Sequence, residues 1–259
     1  MQDQRLHRNF HLWFQRLIAA FFLLGQVFLH ILQGRIHRRN TIEQMNSVGP
    51  ESISIAVVTA AFVGMVYTIQ IAREFIQYGA TTTIGGVVAL SLSRELAPVL
   101  TAVVIAGRVG SAFAAEIGTM RVTEQIDALY MLKTDPIDYL VVPRVIACAL
   151  MLPLLTGLAL LVGMAGGLLV STSMYSINTG IFLNSVQAFT ELWDVFSALL
   201  KSIIFGVIIA IIGCNWGLTT TGGAKGVGES TTTAVVTSLL TIFISNFFLS
   251  WIMFQGDAG

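Results

Sequence analysis

The stretch of sequence that decides the fold class runs from Tyr139 to Val170 and reads YLVVPRVIACALMLPLLTGLALLVGMAGGLLV. Arg144 is the only charged residue in it. A helix needs about 20 predominantly apolar residues to cross a lipid bilayer. This stretch is longer, which predicts a membrane-spanning helix that tilts or continues beyond the hydrocarbon.

Four other parts of the chain are similarly apolar, and the composition agrees with them. Hydrophobic residues make up 55% of the chain and charged residues 11%, against roughly 25% charged residues in an average soluble domain. We therefore predict an all-α integral membrane protein with five transmembrane helices. These spans are predicted near residues 50–76, 83–115, 139–171, 195–218 and 231–254.

Residues 1–47 are more polar than the rest of the chain. Gln26, His30 and Gln33 recur at helical spacing within and after an apolar run, which is typical of an amphipathic helix that lies along the membrane surface. We predict a cytoplasmic tail and an N-terminal interfacial helix in this region. A full span and a shallow re-entry of residues 12–33 are the alternatives.

The distribution of lysine and arginine predicts the orientation, because cytoplasmic loops carry the excess of basic residues. Basic residues precede the first predicted span and follow the second and the fourth: Arg5, Arg8, Arg16, Arg35, Arg38, Arg39, Arg121, Lys133 and Lys225. The N-terminus is therefore expected in the cytoplasm. Arg73 and Lys201, toward the outer side, are exceptions.

Several function classes lack the residues that they need. Cys148 and Cys214 lie far apart inside apolar runs, so we predict neither a disulfide nor a metal site. All four histidines lie near the N-terminus, which argues against an intramembrane hydrolase or metalloenzyme. The 14 basic and 14 acidic residues cancel, so no overall field favours nucleic acid.

The polar connection after the second predicted span has a helical pattern. Met120, Thr123, Ile126, Asp127 and Tyr130 are spaced as one face of a short amphipathic helix, which we place near 118–131. A short helix between two long spans is a suitable lever for a soluble partner. A solvated loop helix is the alternative.

Four motifs around this connection resemble a known family. The runs SRELAPV (93–99), AGRVGSA (106–112), AEIGTM (115–120) and TEQIDAL (123–129) closely resemble the MlaE family, and LPLLT (152–156) continues the match. Its members are permease subunits of ABC lipid transporters that work with MCE-domain proteins. The resemblance covers roughly residues 48–259 and is closest to the cyanobacterial and plastid branch.

The resemblance implies an MlaE-type permease domain over 48–259 that forms a homodimer. It implies that an ABC ATPase, which binds ATP and Mg²⁺, contacts the short cytoplasmic helix, and that this chain holds no cofactor. It also implies an MCE-domain substrate-binding partner and phospholipid cargo, in a bacterial plasma membrane or a plastid inner envelope. The candidate ATPase-coupling residues are Glu116, Gly118, Thr119, Met120, Arg121, Thr123, Glu124, Gln125, Asp127 and Leu129.

Arg94 and Glu95 lie well inside the second predicted span. Ionisable groups at that depth are costly and usually face a partner or a wet cavity. One interpretation is an ion pair that locks helices together. The other is a polar spot on the wall of a lipid cavity, where Arg94 meets a phosphate and Glu95 orients Arg94.

Aromatic residues near the outer end of the first predicted span complete the candidate lipid site. Tyr67, Phe75 and Tyr78 share one helix face by their spacing. Interfacial anchoring is the ordinary role of such residues, whereas the family resemblance implies that they line an outward-facing lipid pocket with Arg94 and Glu95. We predict no catalytic residue in this chain.

Two competing functions come from other classes. A stand-alone secondary transporter or channel would have intramembrane charges along a transport pathway and two halves related by an internal repeat. The sequence shows no such repeat. An intramembrane lipid enzyme would need a nucleophile with a base, or a metal cluster. The leading hypothesis is an ABC permease subunit that moves phospholipid or a related lipid.

Overall fold

A computed structural model describes residues 2–34 and 37–255, with side chains from residue 15 onward. Arg35, the side chains of Arg5 and Arg8, and residues 256–259 of the predicted permease domain lie outside the described residues. Within the described residues all regular structure is helical. The α-helices are α1 (Gln2–Leu32), α2 (Arg38–Val48), α3 (Pro50–Gln77), α4 (Ile84–Ser91), α5 (Ala97–Ile105), α6 (Ser111–Val122), α7 (Gln125–Met131), α8 (Val142–Ser173), α9 (Thr179–Phe189), α10 (Leu192–Leu218) and α11 (Gly223–Phe254).

The apolar helices confirm an all-α membrane protein. Within the described residues, six helical segments are long and apolar enough to cross a bilayer. Five of them cover the predicted spans: Arg38–Gln77, Thr81–Val122, Ile137–Ser173, Leu192–Leu218 and Gly223–Phe254. The sixth, Gln15–Leu32, meets the same criteria of length and composition. The interfacial placement of this N-terminal segment stays a prediction.

The helices form two compact units, each with its own interior. The first unit comprises residues 1–48, 105–149 and 206–241, and the second comprises 49–104, 150–205 and 242–259. In the second unit Ala72, Ile84, Val88, Leu92 and Ile177 form a buried apolar cluster, which we call the α3–α4 cluster. It holds these helices together because apolar packing is tight and shape-specific.

Close backbone contact joins α3 to α8 in the second unit. A Cβ atom at Gly64 would overlap the carbonyl oxygen of Gly163, and a Cβ atom at Gly166 would lie 2.7 Å from that of Ala61. Small residues are the usual means of bringing membrane helices this close. The helix crossing therefore depends on the absence of side chains at these positions.

The first unit packs around Trp216 of α10. Trp216 is fully buried with Ala114, Ile212 and Ala234. Two hydrogen bonds attach α1 to the C-terminal end of α10. The Arg16 guanidinium donates at 3.2 Å to the carbonyl of Thr219, the residue after this helix, and the Asn215 amide donates to the Arg16 carbonyl at 2.9 Å. These bonds explain how a helix with exposed apolar residues is held against α10.

Within the described residues, three turns of π-helix interrupt or precede α-helices, and each carries an ionisable residue. They are Leu92–Leu96 with Arg94 and Glu95, Ala106–Gly110 with Arg108, and Ile137–Val141 with Asp138. In the first, the Ala97 amide donates to the Leu92 carbonyl, five residues back. Such turns are rare and frequently lie at functional sites.

The predicted coupling helix near 118–131 is two helices in the structure. Helix α6 ends at Val122, and α7 begins at Gln125. The amide and the hydroxyl of Thr123 both donate to the Thr119 carbonyl, at 3.1 and 2.8 Å, and Glu124 has a φ of 60°. This left-handed backbone cannot continue an α-helix, so the prediction of one uninterrupted helix was wrong.

Candidate functional site

The second unit contains a group of polar and charged side chains inside its apolar helices. We call it the charged cluster: Arg94, Glu95, Asp194, Lys201, Asn246 and Ser250. The first two lie in the Leu92–Leu96 π-turn, the next two on α10 and the last two on α11. The fold thus supplies the two predicted site residues with partners from two distant helices.

Asp194 is the carboxylate that holds Arg94. The Arg94 Nε atom donates to Asp194 Oδ1 at 2.6 Å, and the Glu191 amide donates to Asp194 Oδ2 at 2.8 Å. Asp194 is fully buried. We expected Glu95 to orient Arg94, but the structure gives this role to Asp194, because α10 brings its carboxylate to the guanidinium.

Lys201 is fully buried and uses all three of its N–H donors. The Nζ atom donates to the backbone carbonyl of Arg94 at 2.7 Å, to Glu95 Oε1 at 2.9 Å and to Ser250 Oγ at 2.8 Å. Buried charges are tolerated when they are paired and hydrogen-bonded in this way. Lys201 therefore ties the π-turn to both α10 and α11.

Glu95 accepts hydrogen bonds on both carboxylate oxygens. Oε1 accepts from Lys201 and from the Ser250 hydroxyl at 2.6 Å, and Oε2 accepts from the Asn246 amide at 2.7 Å. The Glu95 side chain is nevertheless 43% exposed. It is thus both anchored and accessible.

An aromatic ring covers the two cations of the cluster. The Phe254 ring centroid lies 4.3 Å from the guanidinium carbon of Arg94 and 5.4 Å from Lys201 Nζ. A ring at this distance attracts a cation electrostatically. Phe254 therefore contributes to the environment of both side chains.

Sequence reasoning missed most of these partners. The sequence marks Lys201 only as an exception to the orientation rule, and it assigns no site role to Asp194, Asn246 or Ser250. A usable signal was present, because Asn246 and Ser250 are four residues apart in an apolar run and so share a helix face. Polar side chains on one face of a span predict a polar partner.

The predicted aromatic residues lie in different surroundings. Tyr67 and Phe75 are partly buried and pack on the α3–α4 cluster, and the Tyr67 hydroxyl donates to Ser91 Oγ at 2.7 Å. Tyr78 is 82% exposed. Tyr67 is thereby attached to the residue before the π-turn that holds Arg94 and Glu95, whereas Tyr78 lies on the surface.

The predicted coupling residues surround the turn between α6 and α7 in the first unit. The exposed ones are Glu116, Thr119, Thr123, Glu124, Gln125 and Asp127; Met120, Arg121 and Leu129 are partly buried, and Gly118 is buried. An ion pair between Arg121 and Asp127, at 2.8 Å, closes the turn. We call residues 119–131 the coupling segment.

Glu116 has a partner on α8. Its carboxylate accepts from the Arg144 guanidinium at 2.7 Å, and Arg144 also donates to the Leu140 carbonyl at 2.8 Å. Arg144 is 6% exposed. Since a buried guanidinium needs a counter-charge, this contact gives Glu116 a structural role beside the one predicted for it.

A second polar group joins α1 to the start of α8. The His30 Nδ1 atom contacts a carboxylate oxygen of Asp138, and ligand atoms of His30, Asp135 and Asp138 all lie within 4.8 Å of one another. Asp135 also accepts a hydrogen bond from the Ile137 amide at 2.9 Å. We interpret the group as an anchor for α1, since the His30–Asp138 contact by itself links the two elements.

Comparison with known proteins establishes the family. The family model described as Permease MlaE matches residues 41–252. The chain belongs to the MlaE permease family. The match covers both the charged cluster and the coupling segment of this MlaE permease.

Curated relatives of the MlaE permease agree with this assignment. A protein of Synechocystis sp. named a probable ABC transporter permease is 81% identical over 256 residues, or 99% of this chain and 97% of the relative. The chloroplastic protein TRIGALACTOSYLDIACYLGLYCEROL 1 of Arabidopsis thaliana is 55% identical over 90% of this chain and 67% of its own. A probable ABC transporter permease protein of Porphyra purpurea is 51% identical over 94% of this chain and 92% of its own. The resemblance to the cyanobacterial and plastid branch is confirmed.

Proposed function

We propose that this MlaE permease is the membrane subunit of an ABC transporter that moves phospholipid or a related lipid between the membrane and an MCE-domain partner. ATP, with Mg²⁺, is hydrolysed in a separate ATPase subunit, and two copies of this chain form the transport unit. The observation that carries the proposal is the charged cluster, whose Arg94 and Glu95 remain partly exposed inside an apolar span. Such groups mark substrate pathways in membrane proteins.

The names of the relatives support the assignment of lipid transport and ATP hydrolysis to separate subunits. Relatives in Synechocystis, Porphyra and Rickettsia are named probable ABC transporter permeases. A permease of this kind needs a surface to which its ATPase subunit binds. The coupling segment supplies exposed polar residues on a turn closed by Arg121 and Asp127, which suits that role.

The proposed mechanism is a population shift between two states of the dimer. The apolar run Thr81–Val122 carries Arg94 and Glu95 and ends immediately before α7. Movement of the coupling segment on ATP binding is transmitted along this helical run and changes the lipid site. Nucleotide at one end and lipid at the other each bias the same equilibrium.

The proposed location is a bacterial plasma membrane or a plastid inner envelope, with the N-terminus in the cytoplasm or stroma. Basic residues before the first predicted span and after the second predicted span support this orientation. Single cysteines at exposed Glu43 and Tyr78 would test it with an impermeant maleimide. The cysteine introduced in place of Glu43 should react only from the cytoplasmic side, and the cysteine introduced in place of Tyr78 only from the opposite side.

The decisive experiment is a mild-detergent pull-down of the tagged full chain, with mass spectrometry of proteins and lipids. Recovery of an ABC ATPase, an MCE-domain protein and bound lipid would support the proposal. In transport assays, Arg94→Ala and Glu95→Gln should impair lipid handling in assembled complexes. Unchanged transport in both variants would remove the charged cluster from the pathway.

A stand-alone secondary transporter or channel is the second candidate. The observation in its favour is that buried Asp194 and Lys201 place intramembrane charges on α10 as well. A carrier of that class predicts recovery of the chain without an ATPase. It also predicts transport that responds to an ion gradient and not to ATP.

A further inference from the structure

Among the described residues, each cation of the charged cluster has a carboxylate partner. Arg94 pairs with Asp194 at 2.6 Å, and Lys201 pairs with Glu95 at 2.9 Å. Each cation therefore already has a carboxylate. A site built to attract an anion would instead leave positive charge in excess, since a fixed cation is what draws an anionic group.

The accessible part of the cluster is one cation and one anion. The exposed fraction of the side chain is 43% for Glu95 and 30% for Arg94, against 1% for Asp194 and 0% for Lys201. A headgroup that enters thus meets the Glu95 carboxylate at least as readily as the Arg94 guanidinium. A headgroup with a net negative charge would lie beside a like charge in a medium of low dielectric constant, where repulsion is strong.

The exposed part of the cluster can accept a further hydrogen bond. Glu95 accepts three hydrogen bonds, whereas an ionised carboxylate has about four acceptor sites. Because the Glu95 side chain is also partly exposed, its carboxylate can take one more donor from a ligand.

We propose that the charged cluster binds a lipid headgroup that carries no net charge and donates hydrogen bonds. Its hydroxyl or primary ammonium groups donate to Glu95, while its oxygen atoms accept from Arg94. A sugar headgroup and an aminoethyl phosphodiester both have this chemistry. The inference rests on the proposed function, because it names the cargo of the same lipid site.

A competition between lipid classes tests the inference. The full chain, with the subunits that copurify, is incubated with equimolar lipids of identical acyl chains and studied by native mass spectrometry. The probes are a monohexosyl diacylglycerol, phosphatidylethanolamine, phosphatidylcholine and phosphatidic acid. Phosphatidylcholine matches phosphatidylethanolamine in net charge but has no donor in its headgroup.

We expect the amounts of bound hexosyl lipid and bound phosphatidylethanolamine to exceed the amount of bound phosphatidic acid by about tenfold. This ratio corresponds to a single unfavourable charge contact. Both should also exceed phosphatidylcholine. Unequal binding of the hexosyl lipid and phosphatidylethanolamine would show which of the two sources of this chemistry the site prefers. Glu95→Gln should reduce the discrimination against phosphatidic acid, whereas Glu229→Gln, at an exposed carboxylate on α11, should leave it unchanged.

The outcomes separate the inference from the proposed function. Preferential binding of phosphatidic acid, or equal binding of phosphatidylcholine and phosphatidylethanolamine, would overturn the inference and leave lipid transport standing. Retention of no lipid of any class would overturn both. If Glu95→Gln does not fold, the competition on the unaltered chain still decides between these results.

Discussion

Lys201 Nζ lies 2.7 Å from the backbone carbonyl oxygen of Arg94, inside the Leu92–Leu96 π-turn. An interrupted helix leaves backbone groups that need other partners. Lys201 satisfies one of them and simultaneously neutralises Glu95. One buried side chain thus stabilises both the backbone and the charge of the candidate lipid site.

The first prediction concerns this lysine. Lys201→Met should lower the free energy of unfolding by about 3 kcal/mol, because it leaves the Glu95 carboxylate without its buried counter-charge. Unfolding of the purified protein in mixed micelles with increasing SDS measures the effect. Lys225→Met is the control, since Lys225 is exposed and its ion pair with Glu229 is 3.9 Å long.

A double variant separates charge from packing. Lys201→Met combined with Glu95→Gln should be less destabilised than the sum of the single variants, since no charge is then left unpaired. Additive losses would mean that Lys201 and Glu95 do not stabilise each other.

The second prediction concerns the contact between α3 and α8. Gly64→Ala should destabilise the protein by about 2 kcal/mol or more, because a methyl group there would overlap the Gly163 carbonyl. Gly157→Ala, where a Cβ atom has nothing within 4 Å, should have no such cost and should stabilise α8 slightly. Thermal unfolding of the two variants, measured under the same conditions, tests this difference. Equal unfolding midpoints would contradict the close approach of α3 and α8 at Gly64.

The third prediction concerns the coupling segment. Arg121→Ala removes an ion pair whose partners are 40% and 57% exposed, and exposed pairs contribute only about 0–1 kcal/mol. We therefore expect an unchanged unfolding midpoint but a severalfold loss of ATP-driven lipid transport by the complex.

Arg39→Ala provides the matched control for Arg121. Arg39 also forms an exposed ion pair, with Glu43 at 3.3 Å, but it lies outside the coupling segment. Transport that falls equally in both variants would show a general effect of lost charge and would remove Arg121 from the coupling role.

The fourth prediction concerns the attachment of α1. If His30 lies against Asp138, the variant with His30→Cys and Asp138→Cys should be joined efficiently by a short bis-methanethiosulfonate reagent in the membrane. Cys148 and Cys214 are buried and should stay unreacted. Mass spectrometry identifies the intramolecular product, and each single variant should give none. A product that forms only after denaturation would contradict the placement of α1.

Local composition was enough to predict the spans. An apolar run of sufficient length partitions into a bilayer whatever its neighbours are, so Tyr139–Val170 needed no tertiary information. The depth of Arg94 and Glu95 followed in the same way, because it depends only on their position within an apolar run. The polar character of the coupling segment was equally visible, although its break at Glu124 was not.

The partners of the buried charges were decided by the tertiary structure alone. Asp194 lies 100 residues from Arg94, and Lys201 lies 106 residues from Glu95. Which side chains meet depends on the rotation and depth of each helix against its neighbours, and these are set by packing across the whole unit, as at Gly64 and Gly163. The sequence by itself determined which five segments are predicted as membrane spans and which charges they carry, whereas only the packing of the helices decided how those charges are paired.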